Sequence, residues 1–190
     1  MNNEALAQIE KQCKSCTACD LAQGRTNVVF GVGNPNADIM FIGEGPGQQE
    51  DRTGKPFVGR AGQLLDKFLF AVDLERDDVY IANIVKCRPP QNRDPQPGEV
   101  ETCINYLRQQ IKAIAPKIIV CLGRVAAMHM IDPHIKVTKE HGHWHIRDGI
   151  HVTATFHPAA LLRNPNNKPD ALDDFMKVTE KLAELQGQQN

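Results

Sequence analysis

The sequence of 190 residues has no apolar run that approaches a membrane span, and its start, MNNEALAQIE, is polar and acidic with no apolar stretch behind a basic one. A spanning helix needs about 20 consecutive apolar residues, so a soluble, cytoplasmic protein without membrane contact is expected. Charge excess is missing too: 22 basic against 23 acidic residues leave a formal net charge of -1. Global charge therefore argues neither for nor against a nucleic-acid partner, and such a role must rest on local patches. No internal repeat and no linker divides the chain, which reads as one domain over 1–190 with a polar tail at about 186–190 that frays. Six cysteines stand at uneven spacing without a secretion signal. That excludes a disulfide framework as the default and favours metal or cluster ligation. A last absence concerns the loop FIGEGPGQQEDRTGKPFVG, 41–59. It spreads glycines and prolines as phosphate-cradling turns do, yet carries Glu44, Glu50 and Asp51 where such a turn would use amides and a lysine.

What is present is regular alternation. Short apolar runs at 38–42, 79–84, 118–122 and 152–156 read as strands, while 3–13, 64–72, 99–114, 125–131 and 170–185 read as helices by length or helical spacing. Strands alternating with helices imply a parallel sheet covered on both faces. Pro116 ends one helix and Gly123 turns the chain after a strand. In such sheets the ligand site lies beyond the carboxyl ends of the strands. The loop after Ile42, the stretch from Asn83 to Pro90, Gly123-Arg124 and the stretch from His157 to Arg163 are expected to converge there.

Several residues in these segments stand out, each with two readings. Asn83 lies in an apolar strand, and a buried amide costs about 1–3 kcal/mol unless it is satisfied; it either bonds a neighbouring backbone or reads a base edge. His157, before Pro158, is either a capping histidine or one that faces the cleft. Phe57 either packs under its glycine-flanked loop or offers a stacking face. Arg60, Lys86, Arg88, Arg93, Arg124 and Arg163 are solvated charges or together an electropositive rim. Leu161 and Leu162 either plug into the core or wedge into a partner. Cys16-Thr-Ala-Cys19 is a CxxC, as is Cys13-Lys-Ser-Cys16, and Cys87 and Cys103 bracket an excursion too poor in apolar residues to hold its own shape. Four thiolates suit zinc or an iron–sulfur cluster. Cys121, inside an apolar strand, reads as a core residue.

Taken as an ordered set, GEGPGQQED with GKPFVGRAGQLL, then IANIVKCRPPQNRDPQPGE, then TFHPAALLRNP closely resemble the family 4 uracil-DNA glycosylases, the iron–sulfur type of bacteria and archaea. The match runs from about Cys16 to Arg163. The resemblance implies a three-layer α/β/α sandwich around a four-stranded parallel sheet and a [4Fe-4S] cluster. The family's first cysteine pair precedes a Leu…Arg-Thr stretch, here Leu21 to Thr26, which selects Cys16 and Cys19; Cys87 and Cys103 complete the set. By the same resemblance Phe57 stacks on flipped uracil, Asn83 reads its Watson–Crick edge, and His157 supports the leaving base. Glu44 and Gly45 occupy the water-side loop, and Glu50 screens the base's C5 position against thymine. Gly45 stands where the related family 1 enzymes carry a water-positioning aspartate. Arg88, Leu161, Leu162 and Arg163 are the expected DNA contacts. The implied activity is a monofunctional hydrolase: it extrudes uracil from DNA, cleaves the N-glycosidic bond with water and initiates base-excision repair. A monomer acting on single- or double-stranded uracil-containing DNA is expected. Lys139-Glu140-His141-Gly142 falls where an offshoot of the superfamily traps the sugar covalently, but the inserted basic loop of that offshoot is missing, so hydrolysis is favoured.

Overall fold

Short β-branched runs extend and helically spaced ones coil, and the chain follows that rule almost throughout. The computed structural model describes residues 2–188. Helices α1 (Asn2–Lys14) and α2 (Leu21–Gly24) lead into β1 (Val32–Gly33), β2 (Ile39–Gly43), α3 (Gln48–Thr53), α4 (Arg60–Ala71) and β3 (Tyr80–Asn83). There follow α5 (Pro97–Ile114), β4 (Ile118–Leu122), α6 (Arg124–Met130), α7 (Val137–Glu140), β5 (His145–Arg147), β6 (Ile150–Thr155), α8 (Pro158–Arg163) and α9 (Lys168–Gly187). Residues 186–187, expected in a frayed tail, continue α9; the end of that tail, 189–190, lies outside the described residues.

The sheet has six strands in the order β1-β3-β2-β4-β6-β5. The expected four strands are its centre and run parallel, but β1 pairs antiparallel with β3 at one edge and β5 antiparallel with β6 at the other. The sheet is therefore mixed rather than four-stranded and all parallel. At two and three residues, β1 and β5 are too short to show a period of two. The second edge did carry a local signal: Asp148 (φ 50°) and Gly149 (φ 82°) form the tight turn between β5 and β6. A positive φ at both central positions is what Asp-Gly hairpins supply.

Alternation along the central strands feeds two cores. Met40, Ile42, Ala82, Ile119 and Cys121 join residues of α1, α5 and α6 on one face. Ile39, Phe41, Ile81, Ile118 and Val120 join residues of α4 and α9 on the other. Each such side chain contributes roughly 1.5–3 kcal/mol on burial. Cys121 is fully buried there, as a core residue. The longest central helix, α5, begins at a capping box in which Glu99 accepts the Gln96 N–H at 2.8 Å, and stops at Ala115 (φ 52°) before Pro116. Register brings the carboxyl ends into line: Gly43 is opposite Asn83, and Leu122 opposite Thr155.

Candidate active site

Those aligned ends open into a cavity of about 610 Å³. β2 delivers Glu44 and Gly45, β3 delivers Asn83, β4 is followed by Gly123 and Arg124, and β6 by Phe156 and His157; Glu50 and Phe57 join from the loop after β2. The four expected segments thus converge as a parallel sheet requires.

Asn83 is 2 % exposed, and its Oδ1 has no hydrogen-bond partner among the described residues. The internal bond that would have made it structural is not there. Gly43 permits this placement, because a Cβ on it would stand 2.4 Å from Asn83 Oδ1 and 2.6 Å from Phe57 Cζ. Phe57 is buried at 5 % exposure and lines the cavity, with its ring 5.6 Å from that of His157. Its φ of 52° is unusual for a bulky residue, and its neighbours enforce it. Glu50 Oε1 accepts the N–H groups of Val58 and Gly59, both at 2.9 Å, and Arg76 donates to the carbonyls of Phe57 and Pro56. Glu50 is thus first a clamp on the Phe57 loop, a task the sequence did not reveal.

His157 satisfies both of its readings. It caps α8, with Nδ1 accepting the Ala159 N–H at 3.0 Å, and it lines the cavity. Because Nδ1 accepts, the remaining proton of a neutral ring sits on Nε2. Burial, and secondarily the charge of Arg163, push its pKa down to about 4, so the ring is neutral near pH 7. Glu44 moves the other way, up to about 7, through burial and the nearby carboxylate of Asp94, opposed by Arg124.

The basic rim is smaller than expected. Lys86 does not belong to it at all: the side chain is 1 % exposed. Arg93 makes a two-pronged ion pair with Glu99 at 2.9 and 2.7 Å, and Arg124 is paired with Asp94. Arg88 is half-buried and donates to Asn92 Oδ1 at 2.7 Å. Arg60 and Arg163 remain exposed at the cavity wall. Leu161 is overturned as a wedge, since at 1 % exposure it is part of the core beneath α8. Leu162 is half-buried against the same core.

A second, smaller cavity gathers Cys13, Cys16, Cys19, Cys87 and Cys103. All are free thiols. Arg25 Nη1 donates to Cys87 Sγ, and the Lys86 N–H to Cys103 Sγ, each at 3.3 Å. Burial pushes the Cys103 thiol up to about 11 and Cys13 up to about 12. Among the described residues no three His, Cys, Asp or Glu side chains are drawn together as a metal-ion site. The donor chemistry nevertheless fits a thiolate-ligated group: several sulfurs face one space, and two already accept N–H bonds of the sort that stabilise ligating sulfur.

The family model for the uracil DNA glycosylase superfamily matches residues 30–183. A type-4 uracil-DNA glycosylase of Archaeoglobus fulgidus is 44 % identical over 193 residues, covering 96 % of each chain. One from Thermotoga maritima is 47 % identical over 169 residues, 87 % of each chain. The chain belongs to the type-4 branch of this superfamily. A third type-4 uracil-DNA glycosylase, from Sulfurisphaera tokodaii, is 45 % identical over 186 residues, 93 % of this chain and 84 % of that one. In this type-4 chain, Glu44, Gly45, Glu50, Phe57, Asn83, His157 and Arg163 meet in one cavity, whereas Arg88, Leu161 and Leu162 do not line it. Sequence reasoning missed Gly43, the Arg25 bond to Cys87 and Gln110, and it placed the buried Lys86 among the loop charges. Gly43 was visible as a glycine at a strand end; the other three gain meaning only from partners distant in the chain.

Proposed function

We propose that this chain excises uracil from DNA and so begins base-excision repair. The observation that carries the reading is the unpartnered Oδ1 of Asn83, an acceptor buried at the cavity wall. Uracil presents an N3–H donor to it, whereas cytosine presents an acceptor at N3, which would leave two lone pairs opposed. Leaving such an acceptor unsatisfied costs about 1–3 kcal/mol, which the right base recovers.

The nucleotide is first flipped out of the stack. The base lies against Phe57, whose loop is braced by Glu50 and Arg76; the anchored Glu50 also walls off C5 against a methyl group. As the N1–C1′ bond breaks, its electron pair moves onto uracil and builds charge at O2, while the sugar becomes cationic. His157 holds its Nε2 proton toward O2 as a neutral donor, because Nδ1 is committed to the Ala159 N–H. Glu44 takes the proton of the water that attacks C1′, and Gly45 leaves that water room. Glu44 titrates near the working pH, where a general base is most effective. Arg60, Arg163, Arg88 and Leu162 form the DNA-facing rim, a smaller one than charge counting suggests.

Cys16, Cys19, Cys87 and Cys103 are proposed to hold a [4Fe-4S] cluster, with Cys13 as a buried neighbour. Such a group, when bound, supplies four metal–thiolate anchors and a site of one-electron redox chemistry. It would anchor both ends of the basic excursion beside the N-terminal turn. The two cores on opposite faces of the sheet support a three-layer α/β/α arrangement. We also assign a monomer located in the cytoplasm; no helix among the described residues is long and apolar enough to cross a membrane.

The test is excision on matched U:G, U:A, T:A, C:G and single-stranded oligonucleotides. Alkali-labile sites are expected in uracil strands alone, and Asn83→Ala is expected to lower kcat/KM by roughly 100-fold or more. Undiminished cleavage by Asn83→Ala would sink the assignment.

A further inference from the structure

Lys86 is a buried cation that the mechanism above does not use. The three residues after Asn83 donate in succession: Ile84 N–H to Gly43 O at 2.9 Å, Val85 N–H to Glu44 O at 3.2 Å, and Lys86 N–H to Cys103 Sγ at 3.3 Å. One short backbone segment therefore closes the wall of the active-site cavity and then one wall of the thiol cavity. The Lys86 ammonium turns back along that segment to Asn83 O at 2.9 Å and reaches across to Gln110 Oε1 at 2.6 Å. Gln110, itself fully buried, has its amide fixed by donating to Phe30 O at 2.9 Å and Tyr80 Oη at 3.2 Å. Its oxygen can therefore face only the ammonium. Gln110 and Cys103 belong to the same helix, α5, so that helix grips Lys86 by both its backbone and its side chain.

Among the described residues, both acceptors of this ammonium, a backbone carbonyl and an amide oxygen, are neutral. A buried cation with no carboxylate beside it is costly unless negative charge lies near. The closest chemistry able to supply that charge is the row of sulfurs beyond its own N–H, once they are thiolates holding a metal group.

We propose that Lys86 is a positioning residue that couples the thiol cavity to the base-reading end of β3. The inference rests on the functional reading given above. With the sulfurs ligated, their charge holds the ammonium between Gln110 and Asn83 O, and the peptide of Asn83 is fixed against the base. Without that charge the ammonium loses its counter-ion, and the strand end that orients the amide loosens. Lys86 touches neither base nor sugar, so its removal acts on how well Asn83 is aimed and leaves the excised bond's chemistry to His157 and Glu44.

The experiment compares wild type with Lys86→Met, which refills most of the volume without the charge, and with Gln110→Met, which keeps the charge and removes its clamp. Three quantities are read: inhibition by free uracil, iron and sulfide per chain, and the cluster's reduction potential. For Lys86→Met the inhibition constant is expected to rise about tenfold or more, as loss of a hydrogen bond from a charged group implies. Iron and sulfide stay at the wild-type level, and the potential becomes more negative because a buried positive charge has gone. Gln110→Met is expected to move uracil inhibition the same way by a smaller factor, and it decides the matter if Lys86→Met does not fold. Unchanged uracil inhibition in whichever variant folds overturns the proposal. Parallel loss of iron and uracil binding in Lys86→Met overturns it as well, since Lys86 would then act only by retaining the cluster. A wild-type chain that excises no uracil overturns the functional reading itself; an active wild type beside a variant with unchanged inhibition overturns this inference alone.

Discussion

Glu44 and His157 shift in opposite directions for one reason, that burial penalises the charged form of each. For the carboxylic acid this raises the pKa to about 7, so the base form fills in as pH rises through that value. For the imidazole it lowers the pKa to about 4, so the neutral donor persists well below pH 7. Single-turnover excision is therefore expected to climb with pH up to a midpoint near 7, and Glu44→Gln to lose that limb and roughly 10²–10⁴ in rate. A Glu44→Gln profile that keeps the limb would assign it to another group. The same His157 shift has a stability consequence. The unfolded ring titrates near 6.5, so acidification from there toward 4 protonates the unfolded state first and weakens the fold. Strand-end position made Asn83 and His157 legible in the sequence, because polar residues that close apolar strands have few other uses. Lys86 was read as solvated or rim charge and is neither, since its acceptor Gln110 lies 24 residues away and one-dimensional context cannot show burial. Leu161 was open between core and wedge, and only the packing of α8 decides it.

Among the elements, the end of β2 tolerates the least. A methyl group at Gly43 would meet both Asn83 Oδ1 and the Phe57 ring, whereas one at Gly98, in the first turn of α5, would meet nothing within 4 Å. Gly43→Ala is expected to abolish most excision while leaving circular dichroism in place. Gly98→Ala is expected to keep full activity and to gain about 0.4–1 kcal/mol in chemical denaturation. Wild-type excision by Gly43→Ala would show that Phe57 and Asn83 need not meet as described. The long helices were readable because each repeats its period several times, as α5 does, and β4 because five consecutive apolar residues mark a buried strand. The brief ones were not: β1, α7 and β5 have two to four residues, so tertiary pairing alone defines them. The Asp148-Gly149 turn is a local signal of the last hairpin that the sequence reading left unused.

At the scale of the whole molecule, the two cavities lie on either side of the segment 83–87, and the excursion between Cys87 and Cys103 reaches both. Replacing Cys87 or Cys103 with serine is expected to lose bound iron and to speed hydrogen exchange in 88–96, while β2 and β4 stay protected. Cys121→Ala, made in β4 outside the thiol cavity, is expected to leave the iron content unchanged. Iron retained at the wild-type level in Cys87→Ser would remove that residue from the ligand set. The net charge of -1 decided nothing about a nucleic-acid partner; locally, ion pairs at Arg93 and Arg124 engage two of the six basic residues expected at the rim. The stub-like edges of the sheet carry one more consequence. β1 ends at Gly33, where even a methyl group would strike the Val79 carbonyl, and β5 ends at Arg147, whose guanidinium folds back to Ile131 O at 2.9 Å. Fibril growth needs a long free margin on which an incoming strand can lie flat. This sheet ends on both sides in pieces too short and too crowded to seed one.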